Sequence, residues 1–160
     1  MRVWGALAGG FLGTVVLTSI LRAASEAGLT RMDLPFLLGT AFTGNRTRAK
    51  ALGYLLHFAA GLIFALIYYA IFRAIRHSGW WLGAAFGVAH GVFAGTALVN
   101  ILLPVVHPRM AGDQTAAPAV AQLERPGFMM ANYGLRTPLV GLAAHIAYGA
   151  LVGGFTSLAG

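Results

Sequence analysis

The chain has 160 residues, 58% of them hydrophobic and only 9% charged, with 22 glycines, no cysteine and a net charge of +7. Soluble domains carry about 25% charged residues, so the composition excludes an ordinary soluble globule. The missing cysteines exclude disulfides, thiolate nucleophiles and Cys-ligated clusters. The basic residues, nearly all Arg, are scattered beside apolar runs, which fits anionic lipid headgroups and not nucleic acid.

All 11 basic and 4 acidic residues fall outside four stretches. The first, residues 3–21, is long enough to cross the roughly 30 Å hydrocarbon core as a helix. Gly5, Gly9 and Gly13 form a ladder along it that suits close helix packing. A secretory signal cleaved near Ala23-Ala24-Ser25 is the alternative, but the apolar run exceeds the usual 7–15 residues and Arg22 precedes the site. The linker that follows, 22–50, contains a semi-apolar piece over 34–43, too short to span and so interfacial or re-entrant.

The second stretch, 51–72, carries Gly53, His57 and Gly61 at four-residue spacing. The short turn at 73–77 predicts that spans two and three are antiparallel neighbours. The third stretch, 78–106, carries Gly87, Gly91 and Gly95, with His90 near its middle and Asn100 further along. A second long linker, 107–136, holds a semi-apolar piece over 127–135. The fourth stretch, 137–160, carries Gly141, His145, Gly149 and Gly153. Backbone groups in lipid must bond internally, so the expected fold is all-α: an integral membrane four-helix bundle forming a single domain over 1–160.

Two internal matches suggest a duplicated helical hairpin. Gly5, Gly9 and Gly13-Thr14 match Gly87, Gly91 and Gly95-Thr96; Gly53, His57 and Gly61 match Gly141, His145 and Gly149. Four crossings would make the repeat parallel, its axis along the membrane normal. Arg and Lys concentrate in the long linkers, including Arg46, Arg48, Lys50, Arg109 and Arg125, against Arg2, Arg73 and Arg76 opposite. The positive-inside rule therefore places the long linkers in the cytoplasm. Trp4, Trp80 and Trp81 then form an interfacial belt at the end carrying both termini, with Tyr68, Tyr69 and Phe72 completing it.

The histidines are the candidate chemistry. At about 1.5 Å per residue, His57 and Asn100 lie about 9 Å below the long-linker end of their helices and His145 about 12 Å. His107 would roof this polar layer, while His90 stands apart. One reading is interhelical hydrogen bonding alone. A second is a redox site, with His57 and His145 as haem ligands, or imidazole with Met110, Met129 or Met130 holding copper(I). A third is a proton or small-solute path gated by histidine, weakened by the lack of any embedded carboxylate. A lipid-modifying enzyme lacks an evident nucleophile and base. The glycines at 9, 13, 53, 61, 91, 95, 141, 149 and 153 are expected to pack helices. The expected partner is bilayer lipid, with a second copy or another membrane protein as alternatives, and no nucleic acid.

His-x3-Gly in spans two and four, His90-Gly91 followed by His107-Pro108, and the Leu34-Pro35 and Gly127-Phe128-Met129 pieces give the chain a family likeness. It resembles small bacterial inner-membrane proteins in families of unknown function. That resemblance implies four helices in a bacterial plasma membrane and brings no assigned reaction. The expectation is a non-enzymatic structural or accessory envelope protein.

Overall fold

The computed structural model describes residues 1–107 and 123–159, and these are helical with no strand among them. Helix α1 covers Val3–Glu26, the short α2 covers Leu34–Gly39, and α3 covers Arg46–Ala74. Helix α4, Trp80–Phe93, continues through a π-helical stretch, Ala94–Leu102, into a last turn α5, Leu103–Val106. A 3₁₀ segment, Phe128–Tyr133, precedes α6, Thr137–Leu158. Four of these, Val3–Glu26, Arg46–Ala74, Trp80–Val106 and Thr137–Leu158, are long and apolar enough to cross a membrane.

Helices α2 and α3 start where side chains satisfy their first amides. Asp33 accepts from the Phe36 amide ahead of α2, and Asn45 accepts from the Arg48 amide ahead of α3. Helices α1 and α3 run past the apolar stretches into charged residues: α1 takes in Arg22 and Glu26, and α3 begins at Arg46, not at residue 51. In α4 the regular ladder widens just ahead of Pro104, which has no amide proton to donate. Asn100 Nδ2 covers the Gly95 and Thr96 carbonyls there and also reaches Gly127 O at 3.0 Å.

Both long linkers gather at one end. The Arg31 amide donates to Tyr133 O at 2.7 Å, its guanidinium pairs with Glu124 at 3.2 Å, and the Thr30 and Thr137 hydroxyls bond at 2.7 Å. Tyr133 donates to the Glu124 carbonyl, and burial together with the nearby Glu124 carboxylate pushes its phenol up to about 12. Arg109 and Met110, part of the orientation and copper arguments, lie outside the described residues.

Helix α6 is the hub. From α1, Gly9 leaves room for the Leu151 carbonyl and Gly13 for Tyr148; an added Cβ would lie 2.8 Å from each. From the other side, Gly83 and Gly87 meet the backbone of Gly149, Gly153 and His145, and Gly91 meets the His145 side chain. Such close backbone approach is how helices associate in lipid, where no hydrophobic force drives them together. Gly61 of α3 faces Thr14 of α1.

Two expectations need correcting. Gly53 faces the Pro35 carbonyl of α2, Gly95 faces Met129 and Gly141 faces the Met130 methyl, so these three seat linker segments and not another span. The packing is also not two-fold. A parallel repeat would set α1 on α6 and, equivalently, α4 on α3, yet the glycines of both α1 and α4 turn to α6. Helices α3 and α4, neighbours through their tight turn, meet mainly through aromatic side chains: Phe64 on His90, and Tyr68 and Phe72 on Phe86. Tyr68 and Phe72 are therefore core residues, 3% and 0% exposed, and not part of the interfacial belt. Trp4, Trp80 and Trp81 are exposed, as a belt requires.

Candidate functional site

Because aromatic rings hold α3 away from α4, a cavity of about 530 Å³ remains between them. Its mouth lies at the linker end, between Phe42 after α2 and Leu102, Val105 and Val106, all of them exposed. Its inner wall carries His57, Phe64, His90, His145 and Tyr148, and the remaining lining is largely Leu, Val, Ala and Met. Among the described residues no Asp, Glu, Lys or Arg lines it. A concave, largely apolar space with a few convergent polar groups is the usual form of a small-molecule site.

The expected polar layer is present as side chains but not as one network. His57 Nε2 lies 3.0 Å from Thr18 Oγ1. Thr18 spends its own proton on Thr14 O, at 2.6 Å, so the histidine donates. His145 Nδ1 donates to Gly141 O at 2.7 Å, within its own helix. Asn100 turns away to the 3₁₀ segment, and His107, 1% exposed, bonds Leu37 O and Thr40 Oγ1, tying the end of α5 to the first linker. Neither Asn100 nor His107 roofs the histidines.

His90 belongs to the centre of the site and does not stand apart. Its ring lies 4.8 Å from His145 and 4.0 Å from Phe64, with Tyr68 and Tyr148 edge-on at 5.9 and 5.7 Å. Among the described residues, His90 Nδ1 and Tyr68 Oη are buried without a hydrogen-bond partner. Tyr148 donates to Gly61 O across the gap between α6 and α3. The sequence signal for this cluster is the stripe Phe64-x3-Tyr68-x3-Phe72 facing Phe86-x3-His90, both at helical spacing.

The 3₁₀ segment contributes Met130 to the wall of the site. Met129 and Met130 both take left-handed backbone angles, φ 50° and 62°, which are costly for non-glycine residues. Packing holds them there: Met130 is 3% exposed, borders the cavity and reaches Gly141, while Met129 fills the space at Gly95. Met130 thus serves as soft packing beside the cavity. Among the described residues no group of three His, Cys, Asp or Glu side chains is placed to hold a metal ion. The His90 and His145 rings are too close to each other to admit a flat macrocycle between them.

Four apolar helices around an internal cavity define a multi-pass membrane protein. Comparison with family models, with curated proteins and with solved structures finds no match.

Proposed function

We propose that this is a non-enzymatic accessory protein of a bacterial inner membrane, a four-helix bundle that holds a bilayer-soluble molecule in its internal cavity. The supporting observation is the cavity itself, about 530 Å³ and largely apolar, with no charged side chain among its described lining residues and its mouth among exposed apolar side chains. Such a lining favours an apolar ligand over a charged, water-soluble one. The bacterial assignment rests on the family resemblance and on the abundance of Ala, Gly and Arg; the cytoplasmic placement of the long linkers rests on their Arg and Lys excess.

Mass spectrometry of protein released gently from native membranes tests this reading. The expected spectrum contains a one-to-one adduct with a lipid-soluble molecule. In Ala60→Phe, which places a ring into the cavity from α3, the adduct is lost while the protein stays folded. Bare protein in both spectra, or an adduct indifferent to Ala60→Phe, refutes the proposal. Haem held by His57 and His145 is the second reading, supported by two imidazoles on one cavity wall. A Soret band in the purified protein would select it.

A further inference from the structure

The hydrogen-bonding groups on the cavity wall share one polarity, except His90, whose ring keeps a donor as well as an acceptor. Thr14 donates its proton to Gly10 O at 2.7 Å, and Tyr148 donates its own to Gly61 O. His57 donates from Nε2 to Thr18 and His145 from Nδ1 to Gly141 O. A neutral imidazole that donates from one nitrogen accepts at the other. His57 Nδ1 and His145 Nε2 are therefore lone pairs, and no described residue supplies a hydrogen bond to either. The donors of Thr14, Tyr148, His57 and His145 are spent inside the protein, and the His90 ring adds one N–H and one lone pair of its own, so acceptors outnumber donors on the wall.

That polarity selects the ligand. Among the described residues, a phosphate or carboxylate head would meet lone pairs with no cation beside them. A cation would find no carboxylate among them, and an unpaired charge in such a place is costly. An ester or ether oxygen could take only the His90 N–H and would leave the His57 and His145 lone pairs unmet. A neutral hydroxyl carries the missing proton. Resting on the reading of the cavity as a site for a bilayer-soluble molecule, we propose that it binds a neutral lipid ending in a hydroxyl group. The hydroxyl donates to His57 Nδ1 or His145 Nε2, and the hydrocarbon lies along Leu38, Leu98 and Val99 toward the mouth. A chain alcohol of the isoprenoid kind and the reduced ring of a prenylated quinol share this chemistry.

The experiment uses the full chain in phosphatidylcholine nanodiscs, with farnesol, farnesyl methyl ether and a farnesyl-tailed naphthoquinol as probes. Farnesol is expected to bind at least about tenfold tighter than its methyl ether, a preference worth about 1.4 kcal/mol. His57→Phe with His145→Phe should bring the two probes to within about twofold. In the unaltered protein, the ¹⁵N resonance of His57 Nδ1 or His145 Nε2 should move on adding farnesol and stay put with the ether, so the proposal remains testable if the variants do not fold. A quinol that binds tighter than farnesol identifies the ring as the natural head, and the reverse identifies a chain alcohol. Equal binding of alcohol and ether, or nitrogen resonances that ignore the alcohol, overturns the hydroxyl proposal alone. Failure of every probe to bind overturns the cavity reading with it.

Discussion

The seam between α6 and its two neighbours and the seam between α3 and α4 are built from opposite materials. Along α6, Gly9 and Gly13 of α1 and Gly83, Gly87 and Gly91 of α4 bring backbone against backbone or Cβ. Between α3 and α4, Phe64, Tyr68, Phe72, Phe86 and His90 stand where those glycines would be. Small residues remove the space between helices; rings fill part of it and prop the remainder open. The cavity is thus a consequence of which seam received the aromatics.

Exchanging the materials should break each seam in its own way. Gly149→Leu drives a side chain into the Gly83 carbonyl and the Gly87 backbone, and is expected to abolish the folded monomer in size-exclusion and circular dichroism assays. Phe72→Ala removes a fully buried ring from the other seam, at a cost of about 3–5 kcal/mol. Its thermal melt should fall sharply while a folded fraction survives at low temperature. A Gly149→Leu protein as stable as the unaltered chain would show that the glycine seam is not close-packed.

A smaller effect sharpens the contrast at the linker end. Asn100→Ala removes three hydrogen bonds, one of which ties the widened part of the third span to Gly127. At about 0.6 kcal/mol for a typical membrane hydrogen bond, the loss should be about 1–2 kcal/mol. It should appear as faster amide exchange around Met129 and Met130, with α1 and α6 unchanged. Smallest of all is His57→Gln, which keeps a donor for Thr18 and should cost about 1 kcal/mol or less in a reversible unfolding assay. A larger loss would mean that the imidazole does more for the fold than this one hydrogen bond.

The four helices were legible because charge and length alone decide what can cross lipid: no basic or acidic residue interrupts 3–21, 51–72, 78–106 or 137–160. The linker segments were legible too, as apolar pieces too short to span. What the glycine ladders did not reveal was their partners. Gly5, Gly9 and Gly13 look like Gly87, Gly91 and Gly95 in sequence, and a ladder of small residues fits any flat surface. That α6 takes both α1 and α4, while Gly53, Gly95 and Gly141 seat linker segments, is decided by three-dimensional fit. His57 and His145 were rightly expected inside the spans, but depth counted along a helix carries no facing direction. Asn100 accordingly turned to Gly127, and His90 joined His145. Tyr68 was misplaced because it was read together with its neighbour Tyr69, whose hydroxyl reaches the Met1 carbonyl at the chain's start; the four-residue stripe with Phe64 and Phe72 was the better guide.

The contrast between the two seams is tested most directly by a lipid-soluble diazirine photolabel, applied to the protein in native membranes and mapped by peptide sequencing. The outward side chains Leu55, Ile63 and Val88 are exposed on the spans and should be labelled in any case. An occupied or accessible cavity predicts additional labelling at Ala60, Phe64 and Leu98, suppressed by Ala60→Phe, with none along Gly9, Gly13, Gly83 and Gly149. Labelling confined to the outward residues would contradict the account, because the aromatic seam would then be as tightly closed as the glycine one.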